Sequence, residues 1–153
     1  MPTEPSRDPG QDQVQVAAFL LRLALGAMFL AHSVLLKLFV FTLPGTAGFF
    51  QSLGLPGWTA YATFAAEAIG GVLLILGVQS RWVALVLLPV LVGATWAHAG
   101  NGWMFGYTNG GWEYPLYLSV LAVVQVLLGD GAFALSPSRP LPLLAQRTIA
   151  SHA

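Results

Sequence analysis

The chain alternates long apolar runs with short polar or glycine–proline breaks, and the run lengths set the elements. A helix needs about 20 apolar residues to cross the hydrocarbon of a bilayer, and four runs reach or approach that length. They cover residues 14–41, 58–77, 82–99 and 113–128, the last being the shortest. Leu43-Pro44-Gly45 closes the first run, and Pro56-Gly57 precedes the second, so 42–57 reads as a loop. Phe49, Phe50 and Leu53 keep that loop apolar, which predicts a short re-entrant or surface helix in the interface. Gln79-Ser80-Arg81 is a tight polar turn. Pro89 predicts a kink in the third run, because its ring removes one backbone hydrogen bond. The glycine-rich segment 100–112 is a loop, and Pro115 falls in the first turn of the fourth run, where proline is tolerated.

The expected fold is therefore all-α, a four-helix transmembrane bundle over residues 14–130. Residues 1–13 are polar and proline-containing, an expected disordered tail, and 131–153 form a proline-rich C-terminal tail. The first run is too long for a secretory signal, its leader is acidic, and no small-residue cleavage pattern follows, so a retained helix is expected.

Composition agrees with this pattern. Only 8% of the 153 residues are charged and 56% are hydrophobic, against about 25% charged in a soluble domain. The lipid bilayer is the expected environment. Basic and acidic residues balance, which argues against nucleic acid as a partner. The absence of cysteine removes disulfides, thiolate nucleophiles and iron–sulfur ligation. With four spans, Arg7, Arg81, Arg139 and Arg147 all fall on one side, while the loops 42–57 and 100–112 hold no lysine or arginine. The positive-inside rule then places both termini in the cytoplasm of a multi-pass cell-membrane protein. Trp58, Trp82, Trp103 and Trp112 mark the span ends, as an interfacial aromatic belt requires.

Against this apolar background stand Arg22, His32, Lys37, Glu67, His98 and Glu113. A charge at the centre of a spanning helix costs roughly 2.5–3.5 kcal/mol on insertion scales, so such residues pair, face a wet cavity or do chemistry. Glu67 lies near the middle of its run, and Arg22 about 12 Å into the first at ~1.5 Å per residue. Matching depths predict an Arg22–Glu67 salt bridge. It reads either as a structural ion pair or as a catalytic pair in which Glu67 exchanges protons under the control of Arg22. Ser33 and Lys37 fall within about 60° of Arg22 around an ideal helix, and His32 about 80° to the other side.

His98 and Glu113 flank the glycine-rich loop that carries Asn101, Trp103 and Tyr107. His32, Lys37, His98, Asn101 and Glu113 are thus expected to converge on one pocket for a quinone or a small anionic substrate. Each also has a plainer role: Lys37 can snorkel to the headgroups, Glu113 complements a helix dipole, and a buried histidine usually satisfies local hydrogen bonds. Haem held by His32 and His98 is the weaker alternative, because His32 lies too deep. No HxxxH or ExxH spacing supports a metal site. Helix two also carries a small-residue stripe, Ala62, Ala66 and Gly70 with Gly71 beside it, suited to close helix packing.

At these residues the chain resembles the DoxX family of small four-helix membrane proteins. The matching pieces are LLRLALGAMFLAHSVLLKLF with its Arg…His…Lys placement, GFFQSLGLP, AAEAIGGVLLILGVQSR, His98 and the GGWEYPL turn. Relatives often carry a glycine after the first-helix histidine, where this chain has Ser33. The resemblance implies a polytopic protein linked to redox chemistry, whose founding member looks like a subunit of a thiosulfate:quinone oxidoreductase. It points to soluble or membrane oxidoreductase subunits as partners, in addition to any homo-oligomer. A non-enzymatic scaffold of a redox or stress-response complex, or a small transporter with Glu67 on its path, are the competing readings.

Overall fold

The computed structural model describes residues 9–141 and is all-helical there. Helix α1 (Pro9–Leu30) continues without a break into a π-helical segment, Ala31–Val40. Then come α2 (Leu43–Ser52), α3 (Trp58–Leu76), α4 (Ser80–His98) with a 3₁₀ turn at Ala99–Asn101, and α5 (Glu113–Leu128). The loop expected over 42–57 holds α2, whose start is capped by the Thr42 hydroxyl accepting from Gly45 N at 3.2 Å. The first helix begins at Pro9, ahead of the expected residue 14. Residues 1–8 and 142–153, with Arg7 and Arg147, lie outside the described residues.

Among the described residues, three helical stretches are long and apolar enough to cross a membrane: Pro9–Val40, Trp58–Leu76 and Ser80–Asn101. The apolar helix Glu113–Leu128 is shorter. These helices turn large apolar side chains outward, among them Phe39, Ile69, Val86, Val92 and Leu127. Apolar surface on that scale is the mark of a face in contact with lipid or protein. Inside, α1, α3, α4 and α5 share one core of Leu25, Phe29, Leu74, Ala84, Leu87, Leu91, Leu118 and Ala122. α4 runs through Pro89 as one helix.

The register of α1 on α3 is set by two glycines. A Cβ on Gly26 would come within 2.8 Å of the Gly71 carbonyl oxygen, and one on Gly71 within 3.0 Å of the Gly26 carbonyl oxygen. The two backbones touch there because neither has a side chain, the close approach that small residues permit in membrane helices. Further along, Gly77 lies against Arg22. Its left-handed φ of 71° ends α3, and its hydrogen in place of a Cβ leaves the space that the guanidinium fills.

Candidate functional site

Arg22 sits on the α-helical part of the first helix, and His32, Ser33 and Lys37 sit on its π-helical part. There Phe41 N–H reaches back five residues to the Leu36 carbonyl at 2.7 Å. π-helical turns occur mostly as local insertions, frequently at functional sites. Ser33 is fully buried, and its hydroxyl donates to the Phe29 carbonyl at 2.8 Å. The position where relatives often have glycine is thus filled by a hydroxyl satisfied on its own helix. His32 Nδ1 lies 3.0 Å from the Met28 carbonyl oxygen. A carbonyl can only accept, so Nδ1 carries a proton and donates it here. The imidazole stacks on Tyr114 with ring centroids 6.0 Å apart.

Lys37 Nζ donates to Glu67 Oε2 at 2.6 Å, the sole ion pair among the described residues. Both side chains are largely enclosed, 16% and 6% exposed, so the pair is desolvated rather than solvated at a surface. His32 lies within electrostatic reach of the same carboxylate. One helical turn separates Glu67 from Gly71, and Lys37 reaches Glu67 from the π-helical segment beyond α1.

The expected Arg22–Glu67 bridge is not formed. Arg22 faces Gly77, which is ten residues from Glu67 along α3, roughly 15 Å at the helical rise. Counting depth from the start of each apolar run misplaced α1, because that helix begins at Pro9 and the glycine contact fixes its register instead. Arg22 is fully buried, with Nη2 donating to the Ala132 carbonyl at 3.2 Å and the guanidinium 5.2 Å from the Phe19 ring centroid. Asp130 attracts it.

Asp130 is the residue that sequence reasoning passed over. Its Oδ1 accepts from Ser80 N–H at 2.6 Å, at the start of α4, and its Oδ2 accepts from Ser138 N–H at 2.8 Å and from the Ser138 hydroxyl. Burial pushes this carboxyl up, but the Ser138 and Ser80 hydrogen bonds outweigh burial and hold it below its ordinary value. Residues 132–138 thereby lie across one end of the helices as a strap. Ser136 N–H donates to the Gly77 carbonyl at 3.0 Å, and Gln79 N–H to the Ser136 carbonyl at 2.8 Å. Arg81 donates to the Val126 and Leu127 carbonyls, closing the end of α5. The sequence signal for this junction was Gly129-Asp130-Gly131, an acid held between two turn residues.

At the opposite end, His98 and Asn101 hold the glycine-rich loop. His98 Nδ1 donates toward the Asn109 carbonyl at 3.1 Å, and Asn101 Nδ2 donates to the carbonyls of Asn109 at 3.1 Å and Gly110 at 2.9 Å. These two residues order the loop rather than reaching toward Lys37. Glu113 opens α5, its N–H donating to the Trp103 carbonyl at 3.1 Å. Its side chain lines a shallow groove with Trp103 and Tyr114. The residues expected in one pocket therefore fall into separate groups: Lys37, Glu67 and His32 together, His98 with Asn101, and Glu113 in the groove. Tyr114 joins the first group to the groove.

The DoxX family model matches residues 17–100, which contain Arg22, His32, Lys37, Glu67 and His98. A Bacillus subtilis (strain 168) protein named "Putative oxidoreductase CatD" is 33% identical over 123 residues, covering 80% of this chain and 87% of that relative. No solved structure matches the chain. Three long apolar helices and outward apolar side chains fit a membrane protein, and with matches of this extent the chain belongs to the DoxX family.

Proposed function

We propose that this protein crosses the membrane four times, with α1, α3, α4 and α5 and with both termini cytoplasmic. In this reading it serves as a membrane subunit of a quinone-linked oxidoreductase. The observation that supports it is the enclosed pair between Lys37 on the π-helical turn and Glu67 on α3, with His32 in electrostatic reach of Glu67 and Tyr114 stacked on His32. A naming of the Bacillus relative as an oxidoreductase points the same way.

The donor set suits a quinone. Its carbonyls need hydrogen-bond donors and its ring needs a flat apolar wall. The Lys37 ammonium and the Tyr114 hydroxyl supply donors, and the Tyr114 ring supplies the wall. A quinone, when bound, accepts two electrons and two protons. Glu67 fixes the Lys37 ammonium by accepting from its Nζ at 2.6 Å, and the second ring nitrogen of His32 is available for a hydrogen bond beside them. Electrons come from the substrate or from a partner subunit, and a thiosulfate:quinone reaction is the specific form that the family resemblance raises.

The test is the full chain purified in mild detergent, with extracted cofactors identified by mass spectrometry and a short-chain quinone titrated by tryptophan fluorescence. Retained quinone, and binding weakened about tenfold in Lys37→Met and Tyr114→Phe, is the expected result for the loss of one hydrogen bond in each. Undiminished binding in both folded variants would reject the assignment. A non-enzymatic scaffold is the second reading, favoured by the use of His98, Asn101 and Arg22 in holding the chain together. Stable co-purification with oxidoreductase subunits and no quinone would favour it.

A further inference from the structure

The groove at the start of α5 has a chemistry of its own. It is lined by Trp103, Glu113, Tyr114, Leu116, Tyr117 and Val120. The rings on its wall are held in place. Trp103 meets Trp112 edge-on with centroids 4.5 Å apart, and Tyr114 packs on Phe105 at 5.3 Å. The Glu113 carboxylate has no ion-pair or hydrogen-bond partner among the described residues. The helix dipole at this terminus amounts to roughly half a positive charge, so a full carboxylate leaves the site net negative. An ionised carboxylate accepts hydrogen bonds and donates none, which excludes an anion and suits a cation bearing N–H groups. The faces of aromatic rings attract the same cation. Beyond this polar end, Leu116, Tyr117 and Val120 continue the groove along α5 as exposed apolar surface, 36%, 61% and 53% accessible.

We propose that this groove binds a phospholipid with a primary ammonium headgroup. The ammonium sits against Glu113 and the rings of Trp103 and Tyr114, and an acyl chain lies along Leu116 and Val120. The charge complementarity selects the headgroup, and the continuity of rings and aliphatic surface selects a lipid over a free amine. The inference rests on α5 lying in the membrane; it shares the Tyr114 ring with the quinone reading, and its test uses Glu113 and Trp103, which that reading does not.

The experiment is native mass spectrometry of the full chain after exchange into mixed vesicles of phosphatidylethanolamine and phosphatidylglycerol. Wild type should retain phosphatidylethanolamine about tenfold over phosphatidylglycerol, the scale of one cation–π and charge contact at a partly desolvated site. Glu113→Gln and Trp103→Leu should bring the two lipids toward parity, with helical content by circular dichroism unchanged. Equal retention of both lipids by wild type, or an undiminished preference in Glu113→Gln, would overturn the proposal. Phosphatidylcholine held as tightly as phosphatidylethanolamine would overturn the N–H contact to Glu113. Free ethanolamine competing at the lipid's own concentration would overturn the lipid as its source.

Discussion

Lys37 Nζ and Glu67 Oε2 lie 2.6 Å apart, joining the π-helical end of the first helix to the middle of α3. Two opposite charges enclosed together each carry a desolvation cost that only the other offsets. Removing one partner leaves an unpaired ion, which costs about 3–5 kcal/mol, whereas replacing both with apolar side chains of similar volume is often close to neutral. Glu67→Leu and Lys37→Met should therefore each destabilise strongly, and the double variant should recover most of the loss. Thermal unfolding in detergent measures this. A double variant no more stable than the sum of its singles would show that the pair is not coupled.

Arg22 and Gly77 make the corresponding pair at the strap end. Gly77 has φ 71°, and a Cβ there meets the Arg22 guanidinium. The left-handed conformation alone costs an alanine about 1–2 kcal/mol, and displacing a buried cation adds to it. Gly77→Ala should therefore destabilise by more than that, and its effect should shrink in an Arg22→Met background, where the contact with Ala134 Cα at 2.7 Å is what remains. Equal losses in the two backgrounds would remove Arg22 from the explanation.

Asp130 gives the strap a pH dependence. Its folded pKa is depressed by the Ser138 and Ser80 hydrogen bonds in spite of burial. The stability it contributes is complete above its unfolded value of about 3.9 and is lost as pH falls through the lower folded value. Amide hydrogen exchange at Ser136 and Ser138 should accelerate below about pH 4 once corrected for intrinsic rates. Asp130→Asn should show the faster exchange already at neutral pH and little further change on acidification. A wild-type strap that keeps its protection at pH 2 would contradict this role.

The proposed orientation rests on the arginines. Arg81 is buried against the end of α5, and Arg139 is exposed just beyond the strap, so both mark the same end of the helices. Reporter fusions after Gln79 and after Arg139 should read cytoplasmic, and one within 100–109 should read external. An external C-terminus would reverse the assignment.

The ends of α3 and α5 and the ionisable residues were legible in the sequence because they are local properties, whereas the start of the first helix, at Pro9, was not. Gly77 ends α3, Gly129 follows α5, and Pro115 sits in a first turn, each by its own backbone chemistry. The pairing of charges was not legible. Arg22, Ser33 and Lys37 share one face on an ideal helix, and only the Gly26–Gly71 contact decides which of them stands opposite Glu67. The π-helical turn leaves no mark in hydropathy. Asp130 escaped notice because its partners are a backbone N–H fifty positions away and a serine in an apparently featureless tail. His98 and Asn101 looked like ligand-binding groups, yet their acceptors are loop carbonyls, whose positions depend on a glycine-rich conformation that sequence does not specify.

The Gly26–Gly71 contact also links packing to the site. A Cβ on Gly26 would lie 2.7 Å from Ile75 Cγ1 and 2.8 Å from the Gly71 carbonyl oxygen, inside van der Waals distance of both. A larger side chain must push α1 from α3 or shift its register, at a cost of about 1–3 kcal/mol for overpacking. Either movement draws Lys37 away from Glu67. Gly26→Val should then destabilise the protein and also reduce the energy by which Lys37 and Glu67 are coupled in a double-mutant cycle, although neither residue is altered. Gly93 on α4 serves as the control: a Cβ there meets nothing within 4 Å, so Gly93→Ala should keep or raise stability, by up to about 1 kcal/mol of helix propensity, and leave the coupling intact. A coupling energy unchanged by Gly26→Val would mean that the ion pair holds its geometry independently of the glycine contact.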